Sequence, residues 1–280
     1  MRRAILPAAL LLGSGCTSLL GIDSDYTLGE TSEGGGASSS TDLVRVLALA
    51  AQRDHVLFEP LLDRFGSMVR ILPADRTSAF RLDYADLDHR RMSVDAIGPV
   101  WGPAEIAAAD PRTTWVHLAP LLRTDFPAAT LALLAERGHR LAYDGQGLVR
   151  ADRTGPLIVD RHYPPELLGH LSILKLAEDE AVIVADGEFT ASTAARLGVP
   201  EILVTYGSEG CDIYTAGTVA RVPAAWRVEG VQTTGAGDMF TTAYVANRAM
   251  GTGPGRSAAL ASELVARELD RRRVGPADPV

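Results

Sequence analysis

Two cysteines in 280 residues, Cys16 and Cys211, cannot build a disulfide framework, so a packed core must hold the fold. The six histidines show no H-E-x-x-H or other metal-ligand spacing, which removes a histidine-held zinc site. G-x-S-x-G is absent, and the nucleophile elbow of serine hydrolases with it. Basic residues are scarce relative to acidic ones: 27 Lys and Arg against 35 Asp and Glu leave a net charge of −8. That balance argues against nucleic acid as a partner. The apolar run at residues 4–12 is too short to span a membrane as a helix, and no internal repeat marks a solenoid. A hydrophobic fraction of 46 % is left to build one globular α/β domain with a small appendage.

Strand and helix patterns alternate along the chain. Strands are expected at 43–49, 69–72, 116–119, 140–143, 171–174, 182–185 and 202–204, with a hairpin over 80–84 and 92–97 turning at Asp86-Leu87-Asp88. Two more short strands follow, around 211–214 and 219–222. Helices are expected at 126–137, 178–181, 190–197, 237–250 and 256–272. Such alternation favours a parallel sheet flanked by helices, with ligands at the carboxyl ends of the strands. His117 lies inside an apolar strand and reads as a core histidine; Cys211 reads as a buried thiol. Arg271, Arg272 and Arg273 follow a helix end, where cations complement the dipole.

The segment with most chemistry is Thr233-Thr234-Gly235-Ala236-Gly237-Asp238-Met239-Phe240. A glycine turn opens straight into an apolar helix with one acidic residue at the junction. Free N–H groups and the helix dipole make such a start a seat for phosphate oxygens. Glycines let an anion approach the backbone. Asp238 stands where a hydroxyl could lose its proton. Upstream, the strand at 202–204 ends in a second glycine turn, Thr205-Tyr206-Gly207-Ser208-Glu209-Gly210, placed to face the same nucleotide. Asp144-Gly145-Gln146-Gly147 follows another strand and either touches substrate or only turns the chain.

These segments resemble the PfkB/ribokinase family of carbohydrate kinases over roughly residues 42–273. Gln232 to Asp238 is similar to D-T-x-G-A-G-D except at its first residue, and Val204 to Gly210 to V-T-x-G-x-x-G. Leu174 to Ala181 resembles K-x-N-x-x-E, and Arg76-Thr77-Ser78-Ala79-Phe80 with Tyr84 and Arg91 resembles part of a substrate lid. The resemblance implies a ribokinase-like, doubly wound, mostly parallel sheet flanked by helices with a partial β lid. It implies ATP- and Mg²⁺-dependent phosphorylation of a hydroxyl on a sugar or sugar-like molecule. Asp238 would be the base, with Gly235, Ala236 and Gly237 as the anion hole. Thr205, Gly207, Ser208, Gly210 and Thr234 would line the nucleotide, Asp144, Gly145 and Gln146 the substrate, and Glu180 would organise Mg²⁺ through water. Lys175 reads as support for its loop rather than a phosphate ligand. Gln232 in place of the family's Asp weakens any monovalent-cation site, and Ala177 in place of Asn removes a polar contact near the Mg²⁺ shell.

The front of the chain departs from the family. The usual first strand, its early Asp and a Gly-Gly helix start have no counterpart, and Gly34-Gly35-Gly36-Ala37 lies in a Gly/Ser-rich stretch of linker type. Arg2 and Arg3, the apolar run at 4–12 and Gly13-Ser14-Gly15-Cys16 read instead as an export signal with a lipid-anchor cysteine. The expected organisation is therefore a signal-like segment at 1–22, a linker at 23–41 and a kinase domain at 42–280 that lacks its first strand. Kinase activity needs the cytoplasm, where ATP is, whereas this front end points to export as a lipoprotein. The rival readings are a catalytically impaired nucleotide- or sugar-binding remnant tethered at the surface, and a nucleoside kinase of the same family. The substrate and the oligomeric state stay open at this level.

Overall fold

The structure, a computed structural model, describes residues 2–5, 9–13, 44–84 and 90–274. Two short strands, β1 (Arg2–Ile5) and β2 (Ala9–Gly13), precede β3 (Val44–Ala51). Helix α1 (Glu59–Phe65) leads to β4 (Val69–Ala74), then to the hairpin β5 (Ala79–Tyr84) and β6 (Arg90–Ala96). The middle of the chain runs α2 (Pro103–Ala109), β7 (Trp115–Ala119), α3 (Ala128–Glu136), β8 (Arg140–Asp144), the short α4 (Gln146–Val149) and β9 (Gly155–Pro156). The remainder is β10 (Leu171–Ala177), α5 (Glu178–Ala185), α6 (Ala191–Leu197), β11 (Glu201–Thr205), β12 (Cys211–Thr215), β13 (Thr218–Val222), α7 (Ala236–Ala249) and α8 (Pro254–Val274).

Among the described residues, nine strands form the main sheet in the order β13-β12-β11-β10-β8-β7-β2-β3-β4. Its centre, β11, β10, β8 and β7, is parallel, as is the β3–β4 pair. The smaller antiparallel sheet, β1-β5-β6-β9, is the lid. Alternation along the central strands divides the core in two. Leu141, Tyr143, Leu174, Leu176, Ile202 and Val204 join one apolar cluster. Ala142, Ile173 and Leu203 point the other way, into a cluster with Tyr244 of α7 and Leu264 of α8. Helices therefore cover both faces, as a parallel sheet requires. Each fully buried leucine here contributes about 1.5–3 kcal/mol.

Two sequence expectations are corrected. Residues 182–185 are helix, not strand: β10 continues to Ala177 and α5 runs through Ala185. Glu178, Asp179 and Glu180 fill the first turn of α5, and acidic residues are stabilising at that end of a helix. The short apolar run had no periodicity to separate strand from helix. Nor does the front of the sheet lack a strand, because β2 lies between β7 and β3 and pairs antiparallel with both. The run at 4–12 that reads as an export signal overlaps β1 and β2, the first paired with β5 of the lid. The nine-residue run has the length of a signal core, and its second half has the length of a strand. Cys16, the linker with Gly34 to Ala37, and the turn Asp86-Leu87-Asp88 lie outside the described residues. Among the described residues, no helix is long and apolar enough to cross a membrane.

The glycine turn after β11 shows how tightly the edge of the sheet is fitted. Gly210 has φ +92°, and a Cβ built there would stand 2.1 Å from the Val222 carbonyl oxygen and 2.7 Å from the Ala224 nitrogen. Gly210→Ala should therefore destabilise the fold by about 3 kcal/mol, through backbone strain and displacement of the hairpin. Urea denaturation checks this; a loss below about 1 kcal/mol would mean that the turn is looser than described.

Candidate active site

Three parallel strands deliver the polar groups of the cleft. Asp144 ends β8, Lys175 is its register partner on β10, and His117 lies one strand away on β7. All three are buried: His117 and Asp144 are 2 % exposed, Lys175 7 %. His117 Nε2 lies 2.9 Å from Asp144 Oδ2, and the Thr241 hydroxyl donates to Asp144 Oδ1 at 2.9 Å. Burial works against ionisation of Asp144. His117, Lys175 and the Thr241 hydroxyl nevertheless hold its carboxyl below the ordinary carboxylate range. Asp144 therefore anchors α7 to the sheet rather than standing open to a substrate. Gly145 beside it is needed for space, since a Cβ would meet Leu176 Cδ2 at 2.4 Å and the Lys175 carbonyl oxygen at 2.9 Å. Gln146 begins α4 and is half-buried.

Helix α7 starts on Gly235, whose φ of +82° places it in the left-handed region. The Ala236 N–H is turned back to the Thr233 carbonyl at 2.9 Å, and the Met239 N–H bonds the Gly235 carbonyl. Among the described residues, the N–H groups of Gly235, Gly237 and Asp238 have no acceptor. These three amides are free to receive an anion, whereas that of Ala236, expected among them, closes the turn. The Lys175 ammonium points at the same place, 3.3 Å from where a Cβ on Gly237 would lie. It has no hydrogen bond or ion pair among the described residues. The sequence reading of Lys175 as loop support gives no sign of this: a cation more than nine-tenths buried, with no hydrogen bond, whose charge suits an anion's oxygens.

Asp238 is exposed. Desolvation by surrounding protein, then the charge of Asp144, push its carboxyl above the ordinary range, against the pull of Lys175, His117 and Arg150. Its exposure limits how far desolvation can act, so the Asp144 charge is the firmer of the two causes. Glu180 is 8 % exposed, and one of its oxygens accepts the Ala177 N–H at 2.8 Å. Burial raises its carboxyl, with Lys175 opposing.

The expected nucleotide segment forms the turn after β11. The Thr205 hydroxyl donates to the Leu176 carbonyl at 3.3 Å, Ser208 is exposed, and Gly207 has φ +54°. Arg221 stacks over Tyr206 with its carbon 4.6 Å from the ring centre, and bonds Asp212 and the Glu209 carbonyl. Thr234 gives its carbonyl to Arg272 of α8 at 3.0 Å. The lid residues Thr77 and Ser78 are buried and structural: Thr77 accepts the Ala51 N–H and donates to Asp54, and Ser78 accepts the Gly98 N–H.

No group of three or more acidic, histidine or cysteine side chains among the described residues forms a metal cage. Mg²⁺ seldom needs one, since a carboxylate or two plus substrate phosphates suffice. The second oxygen of Glu180 fits that role.

A model of the pfkB family carbohydrate kinases matches residues 112–268. No curated protein matches the chain. Among solved structures it is similar to a pyrophosphate-dependent kinase in the ribokinase family, at 21 % identity and TM-score 0.70, over 81 % of this chain and 83 % of that one. It is also similar to Arabidopsis thaliana ribokinase complexed with ribose and ATP, at 17 % identity and TM-score 0.61, over 87 % and 88 %. A Burkholderia thailandensis nucleoside kinase in complex with inosine matches at 20 % identity and TM-score 0.60, over 81 % and 73 %. At these identities the likenesses establish the ribokinase-like fold.

Lys175→Met removes the cation that pulls the Asp238 and Glu180 carboxyls down. Both should then titrate at higher pH than in the wild type, as carbon-detected NMR of the carboxyl groups would show. An Asp238 midpoint that stays put or falls would contradict the placement of the ammonium.

Proposed function

The chain belongs to the pfkB family of carbohydrate kinases, and from that premise we propose that it transfers a phosphoryl group from a phosphoanhydride to a hydroxyl of a sugar or sugar-like molecule. The observation that carries this reading is the meeting of an unpartnered Lys175 ammonium, three free amides and the Asp238 carboxyl at one helix start. In the proposed step, Asp238 takes the proton of the acceptor hydroxyl. The resulting oxygen bonds to the terminal phosphorus, and the bond from phosphorus to the bridging oxygen breaks. Lys175 and the amides of Gly235, Gly237 and Asp238 hold the negative oxygens throughout. Such catalysis is mainly positioning and charge stabilisation. Mg²⁺, when bound, would be held by Glu180 through water and would neutralise donor phosphate charge.

The donor's shared chemistry is a terminal pyrophosphate group. ATP and inorganic pyrophosphate both carry it, and the structurally similar proteins include a kinase of each kind. The glycine turn Gly207–Glu209 with Thr205, Ser208 and Gly210 supports ATP, by lying at the carboxyl end of β11. The acceptor is a small polyhydroxyl compound, with a nucleoside as the alternative that the Burkholderia enzyme represents. This reading places the chain in the cytoplasm with its donor. The pairing of β2 with β3 and β7 favours its retention in the fold over removal as part of a signal. It also weighs against the reading of a dismantled remnant.

The test is turnover by the full chain with Mg²⁺, either donor, and a panel of sugars, polyols and nucleosides. Asp238→Asn should lower kcat by about 10³-fold or more while the protein stays folded. Because the base works ionised and its carboxyl is raised, wild-type activity should fall with decreasing pH at a midpoint above the ordinary carboxylate range. Full activity in Asp238→Asn, or an acid midpoint at the ordinary carboxylate value, would refute the assignment.

A further inference from the structure

Beneath the transfer site lies a hydrogen-bonded chain that the proposed reaction does not itself use. His117 Nε2, facing a carboxylate, must carry its proton and donate to Asp144 Oδ2 at 2.9 Å. Asp144 Oδ1 accepts from the Thr241 hydroxyl at 2.9 Å. The same hydroxyl oxygen is 3.0 Å from the Gly237 carbonyl, one turn back on α7. His117 and Asp144 are each 2 % exposed, and Thr241 is fully buried. Three elements, β7, β8 and α7, are thereby joined through one carboxylate, one turn from Gly237 near the start of α7.

We infer that His117, Asp144 and Thr241 are positioning residues of the transfer step: they clamp the first turn of α7 so that its amides face the phosphoryl group, and fix a negative charge behind Asp238. This inference deepens the proposed function and rests on it for its catalytic consequence, but not for the clamp itself.

Two physical arguments support the clamp. The first concerns one proton and two acceptors. The Thr241 hydroxyl has a single hydrogen, and both Asp144 and the Gly237 carbonyl are within reach. A Thr hydroxyl in a helix ordinarily bonds the carbonyl one turn back, as Thr242 does to Asp238 at 2.8 Å. The charged acceptor is the stronger, so at Thr241 the proton goes to Asp144 and the helix is tied to the sheet. The second concerns charge. The groups that face Asp238 are Asp144 from β8, Lys175 from β10, His117 from β7 and Arg150 after α4. Only Asp144 among them raises its basicity. Asp144 in turn faces His117, Lys175, Glu180 of α5 and Tyr143. A carboxylate held ionised by its partners makes its neighbour harder to ionise and a better proton acceptor.

The clamp is read without turnover by hydrogen exchange over residues 233–244 of the free chain. Thr241→Val should speed exchange there by about tenfold or more, and Thr241→Ser, which restores the hydroxyl, by less than about twofold. Wild-type exchange in Thr241→Val overturns the clamp. In turnover, Thr241→Val should lower kcat by about tenfold with the acceptor KM within about twofold, as lost alignment does. A change confined to KM would overturn the positioning role. Asp144→Asn should move the acid midpoint of kcat to lower pH, because it removes the charge that raises Asp238. An unmoved or higher midpoint overturns the electrostatic part. Loss of the proposed function itself is seen separately, as absence of transfer by the wild-type chain, and the exchange comparison still decides the clamp.

Discussion

The bond from the Thr241 hydroxyl to the Asp144 carboxylate is where helix and sheet become one device. Everything the site requires follows from where the first turn of α7 comes to rest. A helix start offers free N–H groups anywhere it occurs; what distinguishes this one is its seat over the carboxyl ends of β8 and β10. Those strands are in parallel register with Asp144 beside Lys175. The register sets the spacing, the buried carboxylate sets the orientation, and Gly235 in the left-handed region lets the chain enter the turn.

Charge is distributed with the same economy. One ammonium, Lys175, interacts with three carboxyls, those of Asp144, Glu180 and Asp238. It stabilises all three negative charges and lacks a hydrogen-bonding partner of its own. In the proposed reaction the phosphoryl group supplies that partner. The carboxyls are then sorted by environment. Asp144, hydrogen-bonded on both oxygens, stays ionised and structural, whereas Asp238, exposed and beside a like charge, is left more basic. Environment divides the work between chemically identical side chains.

Most of the architecture was legible in the sequence because its signals are local. Alternating strands and helices, two glycine turns and an acidic residue at a helix start survive in one dimension. Asp238, Gly235 and Gly237 stand out that way as candidates, and the structure groups them around Lys175 with Glu180 and Asp144. What escaped depends on long-range contact. His117 reads as a core histidine because its strand is apolar, and nothing local announces Asp144 on the next strand. Thr241 is an ordinary helical residue until the sheet meets it, 97 positions from its partner. Lys175 is visible only as a lysine just past an expected strand, and its aim at Gly237 belongs to the packing of α7. The apolar front end carries two readings for a different reason: a run this short fits an export signal and a strand alike, and β2 within it pairs with β3 and β7.

The most direct measurement is a crystal structure of the full chain with Mg²⁺ and inorganic pyrophosphate, which carries the group common to both candidate donors. The account predicts a terminal phosphoryl group within hydrogen-bond reach of the Gly235 and Gly237 amides and of Lys175 Nζ, with the Asp238 carboxylate open on the side away from the leaving oxygen. Pyrophosphate seated elsewhere, for instance against Arg112 and Arg137 in the hollow between the segments that precede β7 and β8, with no anion at the start of α7, would contradict it.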